Sequence, residues 1–320
     1  MSPLLLEVTG VAKHFRAKDG SWLKAVEDVS LTLAPGETLG IVGESGSGKS
    51  TLGRLMLGLH QPTSGRVRFE GVDLAGLSAV AMRKLRRHMQ PIFQDPYASL
   101  DPRFTVGASI AEPLVIHRLG DGAARRRRVA ELLEIVGLEP DAARRYPHEF
   151  SGGQRQRIGI ARAIAPEPKL IVADEPVSAL DVSIQSQVLN LLIDLRARLG
   201  LSYVFISHDL AVVEHISDRV AVMYLGKIVE TAETAALYAR SAHPYTQALV
   251  SAIPEPDRRH QRIILAGDAP NPEDPPPGCA FHPRCPQVMP QCRTVVPPQI
   301  DLGTPASPHP VVCHLYGSSA

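Results

Sequence analysis

The residues best suited to chemistry form a glycine-rich loop, Gly43-Glu-Ser-Gly-Ser-Gly-Lys49-Ser50, which fits the pattern G-x-x-x-x-G-K-[ST]. Such a loop wraps backbone N–H groups around phosphates, assisted by the positive end of the helix that follows. Its lysine reaches the β- and γ-phosphates, and the next hydroxyl ligates magnesium. The pattern predicts a nucleotide site, the alternative being a glycine-rich turn with a surface lysine. The residues assigned to the nucleotide are Gly43, Glu44, Ser45, Gly46, Ser47, Gly48, Lys49, Ser50 and Thr51.

Two adjacent carboxylates, Asp174 and Glu175, follow the apolar run Leu170–Ala173. A carboxylate at the end of a buried strand holds magnesium, directly or through its waters, so Asp174 is assigned to the metal. Glu175, one residue further, is then placed to polarise an attacking water. A helix N-cap followed by a first-turn charge explains the same pair equally well, and both interpretations stand on this motif alone.

These residues need elements that position them. Residues 37–42 read as a short buried strand leading into the glycine-rich loop, and apolar residues at helical spacing predict a helix over 49–59. Short apolar runs at 170–173 and 203–207 are typical of buried parallel strands, and 184–199 between them has a helical apolar face. The alternation predicts an α/β sheet with ligands at the carboxyl ends of its strands.

Other segments surround this core. Alternation over 4–8 and 30–33 predicts strands, and 220–230 predicts a hairpin turning at Gly226 and Lys227. Residues from 91 onwards change to helical patterns, which indicates an inserted helical subdomain at about 91–160. The run Arg125–Arg128 suggests a nucleic-acid patch, but Arg127 and Glu131 lie four apart on a predicted helix. A solvated face with ion pairs is therefore the favoured interpretation.

The bulk composition names no partner. The chain has 320 residues, 44% hydrophobic residues and a formal net charge of +1, so no excess of positive charge attracts nucleic acid. No apolar stretch approaches the length of a membrane span, and the start lacks a basic n-region and a long apolar h-region. We therefore expect a cytoplasmic protein that serves any membrane process by docking onto subunits that span the bilayer.

A third motif, Ser151-Gly-Gly-Gln154, precedes the carboxylate-bearing strand. With this motif in place, the chain resembles the nucleotide-binding subunits of ABC transporters over almost its whole length. The resemblance implies a P-loop ABC cassette: a RecA-like parallel sheet core, an antiparallel β subdomain and an inserted helical subdomain. It also implies that Ser151, Gly152, Gly153 and Gln154 face a γ-phosphate held by the opposite subunit, which suits a polar helix N-terminus.

Further motifs follow in the order that the family has. The resemblance assigns Gln94 to magnesium and the attacking water, Asp181 to contacts across a dimer, and His208 to the γ-phosphate. Phe15 occupies the place of the aromatic that stacks on adenine, although a core aromatic fits as well. In the family the two nucleotide-facing surfaces of one cassette do not meet, so two cassettes pair head to tail. ATP closes such a dimer by favouring the closed state, and hydrolysis releases it.

Three segments resemble the oligopeptide and dipeptide importers, namely 42–50, Phe93–Pro102 and His243-Pro-Tyr-Thr-Gln-Ala-Leu249. This branch implies a heterodimer with a second ABC ATPase subunit, two transmembrane permeases and an extracytoplasmic solute-binding protein, at the cytoplasmic face of the inner membrane. Nickel and glutathione importers share these features, so the cargo stays open. A non-transport ABC ATPase is a further alternative, but such proteins usually carry two cassettes or a long coiled-coil insertion.

All four cysteines, Cys279, Cys285, Cys292 and Cys313, follow the proline-rich segment 269–278, after which no helical or strand period is visible. A reducing compartment disfavours disulfides, which leaves metal ligation or coincidence. Four thiolates suit iron–sulfur and zinc alike, while the lack of a C-x2-C pair argues against a zinc ribbon. The importer resemblance implies a 4Fe-4S cluster, and zinc or unligated thiols stay open. The predicted domains are 1–240, the cassette, and 241–320, a C-terminal extension.

Overall fold

The computed structural model describes residues 4–16, 20–95, 99–253 and 262–317. The strands are β1 (Leu6–Arg16), β2 (Trp22–Leu33), β3 (Thr38–Val42), β4 (Ser64–Phe69), β5 (Val72–Asp73), β6 (Met89–Ile92), β7 (Leu170–Asp174), β8 (Ser202–Ser207), β9 (Arg219–Tyr224), β10 (Lys227–Glu233), β11 (Gln299–Asp301) and β12 (Pro310–Val312). The α-helices are α1 (Lys49–Met56), α2 (Ala79–Arg86), α3 (Val106–Ile116), α4 (Gly122–Ile135), α5 (Gly152–Ile164), α6 (Val182–Leu199), α7 (Leu210–Ile216), α8 (Thr234–Ala239) and α9 (Pro244–Ser251). The predicted α/β class is confirmed.

The larger sheet has eight strands in the order β11-β12-β10-β9-β3-β8-β7-β6. Its central part, from β9 through β3, β8 and β7 to β6, is parallel. Strands β3 and β8 are buried along their whole length, which explains why their sequences are continuous apolar runs rather than alternating ones. Val42 pairs with Ser207, and Asp174 pairs with Ile206. The carboxyl ends of β3, β7 and β8 therefore meet at one edge, directly before the predicted site residues.

The smaller sheet is antiparallel, in the order β2-β1-β4-β5. The strands expected at 4–8 and 30–33 are present, but β1 and β2 are 11 and 12 residues long. The ladder shifts register between Val8 and Val11, and Gly10 and Asp28 nearby have positive φ angles of 56° and 52°. Such bulges break the period of two, so the alternation was visible only in fragments.

The helical subdomain contains α3, α4 and α5. Helix α4 begins after Asp121, whose carboxylate accepts a hydrogen bond from the N–H of Ala124 at 2.8 Å, and it buries Val129, Leu132 and Leu133. Glu131 forms an ion pair with Arg128 at 3.3 Å, one residue beyond the predicted partner. Segment 96–98, inside the motif that resembles the importers, lies outside the described residues.

The region after residue 278 contains more structure than its sequence predicts. Strands β11 and β12 pair with one another, and β12 joins the larger sheet through the pair Glu230 and Val311. No period was visible here in the sequence, because three-residue strands are too short to show one. The proline-rich segment 269–278 forms neither helix nor strand, as predicted.

A buried carboxylate fastens this extension to the cassette. Glu230 on β10 is fully buried and forms an ion pair with His309 at 2.7 Å. Its two oxygens also accept hydrogen bonds from the backbone N–H groups of Ala242 and His243, at 2.7 Å and 2.9 Å. A buried charge is stable only when its hydrogen-bonding groups are fully paired. Removing one partner leaves the other charge buried without compensation, which lowers the free energy of unfolding by roughly 3–5 kcal/mol. Across the described ranges, no helix has the length and apolar character that a bilayer crossing requires.

Candidate active site

The glycine-rich loop connects the end of β3 to the start of α1, as its sequence predicted. Gly43 and Gly48 adopt φ angles of 151° and 105°. A Cβ at Gly43 would lie 2.1 Å from the carbonyl oxygen of Met223, and one at Gly48 would lie 2.1 Å from that of Ala25. Only glycine fits where the backbone turns this sharply against its neighbours. The loop is thus held close to β2 and β9 with its helix end directed at the cleft.

Lys49 provides the cation of the loop. Its side chain is buried, and its Nζ donates to the carbonyl oxygens of Gly43 and Glu44, at 2.8 Å each. Burial lowers the pKa of Lys49, an effect opposed by the negative charges of Glu175 and Asp174. The ammonium therefore lies inside the concave face of the loop, beside the two carboxylates.

Ser50 and Asp174 form a pair of oxygen ligands. The Ser50 hydroxyl donates to Oδ1 of Asp174 at 2.8 Å. Burial raises the pKa of Asp174, and the hydrogen bond from Ser50 opposes this rise. Magnesium usually binds one or two protein oxygens and completes its octahedron with water and phosphate oxygens. This hydroxyl and carboxylate fit that chemistry.

The three predicted catalytic residues are in contact, with Glu175 between Gln94 and His208. Its Oε2 accepts a hydrogen bond from Nε2 of Gln94 at 2.8 Å, and its Oε1 lies 3.2 Å from Nδ1 of His208. Gln94 follows β6, Glu175 follows β7 and His208 follows β8. These three strands are neighbours in the sheet, so the three residues lie at the same edge. Glu175 has a φ of 47°, a left-handed conformation that is uncommon outside glycine and typical of functional sites.

A cleft of about 770 Å³ is lined by Leu23 and Ala25 of β2 and by the site residues Lys49, Ser50, Gln94, Glu175 and His208. Asp174 is not among its lining residues and lies behind Ser50, to which it is hydrogen-bonded. Phe15 pairs with Leu23 across the β1–β2 ladder, next to the mouth of the cleft. Its ring packs edge-to-face against His60, with 5.7 Å between ring centroids, and Lys13 Nζ lies 5.1 Å from its centroid. The side chain is half-buried, so it is positioned beside the cleft rather than in the core.

The motif Ser151–Gln154, called the signature segment below, lies outside this cleft. Ser151 is the N-cap of α5: its hydroxyl accepts from the N–H of Gln154 at 3.3 Å, and its own N–H donates to the Gln154 side chain at 3.0 Å. Both side chains are exposed. Among the described residues that line the cleft, none belongs to this segment. Asp181 precedes α6, is exposed, and makes no side-chain cap to that helix.

Two further contacts to the loop were not predicted from the sequence. The backbone N–H of Glu44 donates to the hydroxyl of Tyr245 on α9 at 2.9 Å. The carboxylate of Glu44 accepts two hydrogen bonds from the guanidinium of Arg284, at 2.8 Å and 3.1 Å. Arg284 is 240 residues away in the chain, so neither spacing nor periodicity could have indicated this pair.

All four cysteines are free, Cys279 and Cys285 half-buried and Cys292 and Cys313 buried. Burial raises the pKa of Cys313 to about 11, and negative charge on the other three cysteines adds to the rise. Within the ranges that the structure describes, no group of three or more His, Cys, Asp or Glu side chains has the spacing that a metal ion needs.

Comparison with known proteins decides the family. Residues 26–178 match the ABC transporter family, and 229–292 match the C-terminal region of oligopeptide/dipeptide transporters. A putative peptide import ATP-binding protein of Brucella ovis is 58% identical over 295 residues, covering 92% of this chain and 93% of that protein. The chain is a member of the ABC transporter ATPase family. The oligopeptide transport ATP-binding protein AppF of Bacillus subtilis is 52% identical over 323 residues, 98% of this ABC ATPase and 97% of that protein.

Solved structures agree with this membership. A dimeric ABC cassette, MJ0796, in a post-hydrolysis state with ADP and Pi superposes with a TM-score of 0.66 at 31% identity, covering 72% of this chain and 98% of that one. The cbiO1 subunit of Clostridium perfringens, part of an ABC transporter complex, has the same TM-score at 28% identity, covering 75% and 92%. The present ABC ATPase therefore binds and hydrolyses ATP with magnesium, as its family does.

Proposed function

We propose that this ABC ATPase powers the import of dipeptides and oligopeptides from a peripheral position on the cytoplasmic face of the inner membrane. One observation carries the proposal: a complete nucleotide cleft and the C-terminal region of oligopeptide/dipeptide transporters occur in one chain. The residues from about 241 to 320 form this extension, and 1–240 form the cassette. Strand β12 of the extension pairs with β10 of the cassette, so both units contribute strands to the larger sheet.

In the proposed mechanism, the loop Gly43–Thr51 binds the phosphates, and Ser50 with Asp174 holds magnesium together with Gln94. Bound magnesium neutralises the charge that develops on the transferred phosphoryl group. Glu175 accepts the proton of the attacking water, because its carboxylate is held by Gln94 and His208 at bonding distance. His208 then interacts with the γ-phosphate, and Phe15 stacks on adenine at the mouth of the cleft.

The exposed signature segment supports pairing of two cassettes. Among the described residues, the side chains of Ser151 and Gln154 are used in their shared capping box and the Asp181 side chain makes no cap to α6; all three residues are exposed. We assign Ser151 and Gln154 to the ATP held by a second ABC ATPase subunit and Asp181 to contacts across the dimer, in a heterodimer that works with two permeases and a solute-binding protein. ATP closes the pair because it binds the closed state more tightly.

The four cysteines suit a 4Fe-4S cluster by donor chemistry, since such clusters take four thiolates. Thiolates also hold single zinc ions, so zinc stays the alternative. Iron, sulfide and zinc analysis after anaerobic purification tests this: finding neither metal would leave the cysteines as free thiols.

The cargo is tested by uptake. Cells carrying the native gene or Glu175→Gln, with matched subunit abundance, are compared for uptake of labelled dipeptides, longer peptides, glutathione and nickel. We expect peptide uptake to collapse in the variant. A fall confined to nickel or glutathione would move the cargo to that solute. Unchanged uptake of all four would overturn the transport role and favour a non-transport ABC ATPase.

A further inference from the structure

The extension meets the nucleotide site in two ways: Leu249 and Pro272 line the cleft, and two of its side chains bond to Glu44. This second residue of the phosphate loop is held at three places: its N–H by Tyr245, its carbonyl oxygen by Lys49 and its carboxylate by Arg284. Tyr245 and Arg284 come from separate parts of the extension, α9 and the segment between Cys279 and Cys285.

The pair between Glu44 and Arg284 is well shielded. The Arg284 side chain is only 9% exposed and the Glu44 side chain is 32% exposed. Two parallel hydrogen bonds between a guanidinium and a carboxylate fix both the distance and the orientation of the acid. A lysine or a single contact would not fix the orientation in this way. Arg284 therefore both orients the Glu44 carboxylate and neutralises its charge.

The hydroxyl of Tyr245 adds a second restraint. It accepts the N–H of Glu44, so this loop amide is committed to the extension rather than to a phosphate. The Tyr245 ring is fully buried and packs against Tyr224 and Phe281, with centroids 4.7 Å and 5.4 Å away. Phe281 lies two residues after Cys279, so one aromatic cluster connects the cysteine segment to the loop.

Charge makes the restraint important for the nucleotide. Glu44 lines the cleft, and a free carboxylate there would repel the phosphates of ATP. Arg284 neutralises that carboxylate and holds it at the loop edge. Without Arg284, the loop would lose a fixed conformation and gain an uncompensated negative charge beside its ligand.

We propose that Arg284 is a positioning residue for ATP: it acts through Glu44 to hold the phosphate loop in its binding conformation, and so makes the C-terminal extension part of the nucleotide site. The inference concerns ATP and is independent of the cargo. Its failure would leave the proposed import function untouched, because uptake of peptide and binding of ATP are measured separately.

The test compares Arg284→Gln, Glu44→Gln and the double variant, each as the full chain. ATP affinity is measured by calorimetry, and KM and kcat are measured in the assembled transporter. Loss of a charge-assisted hydrogen-bond pair predicts that Arg284→Gln weakens ATP binding and raises KM about tenfold, with kcat within about twofold of native. Because Glu44→Gln also removes the carboxylate that Arg284→Gln leaves unpaired, the double variant should bind ATP more tightly than Arg284→Gln alone, and the effects of the two changes should not add.

Arg219 supplies a matched control. It forms an ion pair with Glu37 at the same 2.8 Å, at the other end of β3 and away from the cleft. Arg219→Gln should leave the KM for ATP unchanged. Arg284→Lys should restore part of the affinity, since it returns the charge without the two-pronged geometry. Iron content of every Arg284 variant is measured, and only variants with native content are compared.

Native ATP affinity in Arg284→Gln, or additive effects of the two single changes, would overturn the proposal. An equal rise in KM for Arg219→Gln would also overturn it, because the effect would then be general destabilisation. If Arg284→Gln fails to fold, Tyr245→Phe removes only the hydroxyl from the same restraint. It should raise the KM for ATP while kcat holds, and a native KM in that variant would contradict the proposal.

Discussion

The cleft differs from the signature surface, formed by Ser151–Gln154 and Asp181, in how its polar side chains are hydrogen-bonded. In the cleft, side chains from separate elements bond to one another: Ser50 with Asp174, and Gln94 and His208 with Glu175. On the signature surface, the Ser151 side chain bonds within the described residues to the nearby Gln154, and Ser151 is exposed. The polar side chains of the cleft are thus paired across separate elements of one chain. Those of the signature surface are exposed, and among the described residues they form only local contacts. Binding of ATP and its hydrolysis should therefore be separable by substitution.

The largest effect should come from the centre of the cleft. Glu175→Gln keeps the shape and the hydrogen bond from Gln94 but removes the base, so turnover should fall by roughly 10²–10⁴. ATP affinity should stay near native, since Glu175 binds the water rather than the phosphates. Steady-state ATPase assays and calorimetry check this. A native turnover in the variant would remove Glu175 from its proposed role.

The loop itself should respond next. Gly48→Ala places a Cβ 2.1 Å from the Ala25 carbonyl oxygen and requires a φ of 105°, so ATP affinity should fall by roughly 10- to 100-fold. Gly76 is the matched control, because it has a φ of 77° with nothing within 4 Å of a built Cβ. Gly76→Ala should leave ATP affinity native. Equal losses of affinity in calorimetry would show that stability, not loop shape, is being measured.

Two N-cap serines, Ser151 and Ser78, allow a role in hydrolysis to be separated from a role in helix stability. Ser151 and Ser78 each accept an N–H from the third residue beyond, at 3.3 Å in both cases. Each Ser→Ala change should cost about 1 kcal/mol of helix stability. Only Ser151→Ala should slow hydrolysis, by up to about tenfold if its hydroxyl meets the opposite ATP, while ATP binding to the single chain stays native. Equal ATPase rates in the two variants would place the signature surface outside the reaction.

The smallest effect should be that of Asp181. It makes no cap to α6, whereas Asp121 caps α4 at 2.8 Å. Asp181→Ala should therefore leave the thermal midpoint unchanged and slow hydrolysis by about two- to threefold, the size expected for a polar contact at an exposed interface. Asp121→Ala should lower the midpoint and leave hydrolysis unchanged. The reverse pattern in thermal scans and ATPase assays would contradict the assignment of Asp181 to a dimer contact.

Much of the cleft was predictable because its signals are local. The loop Gly43–Ser50 lies within eight residues, and Asp174 with Glu175 ends a run of apolar residues that needs no tertiary information. Gln94 and His208 were assigned by the resemblance to ABC transporter subunits, and both lie at Glu175 in the structure. Helix α1 was predicted to reach residue 59 but ends at Met56, where Gly58 turns the chain with a φ of 61°.

The contacts of the extension were not predictable, for a physical reason. Arg284 meets Glu44, and His309 meets Glu230, across 240 and 79 residues respectively. No helical or strand period links such positions. Strands β11 and β12 are three residues each, so their pairing depends on the edge that β10 offers rather than on their own pattern. Long-range charge pairs and short edge strands become visible only when the chain is folded.

The position of β12 beside β10 also bears on solubility. An unpaired strand edge is a template for pairing with other molecules, and proteins protect such edges with short strands, prolines and charges. Here β12 covers part of β10, and the sheet ends in β11, three residues that follow Pro297 and Pro298 and close on Asp301. The extension thus ends the sheet in a form that resists the addition of another strand, and a chain cut before Gln299 would expose β10 to self-association.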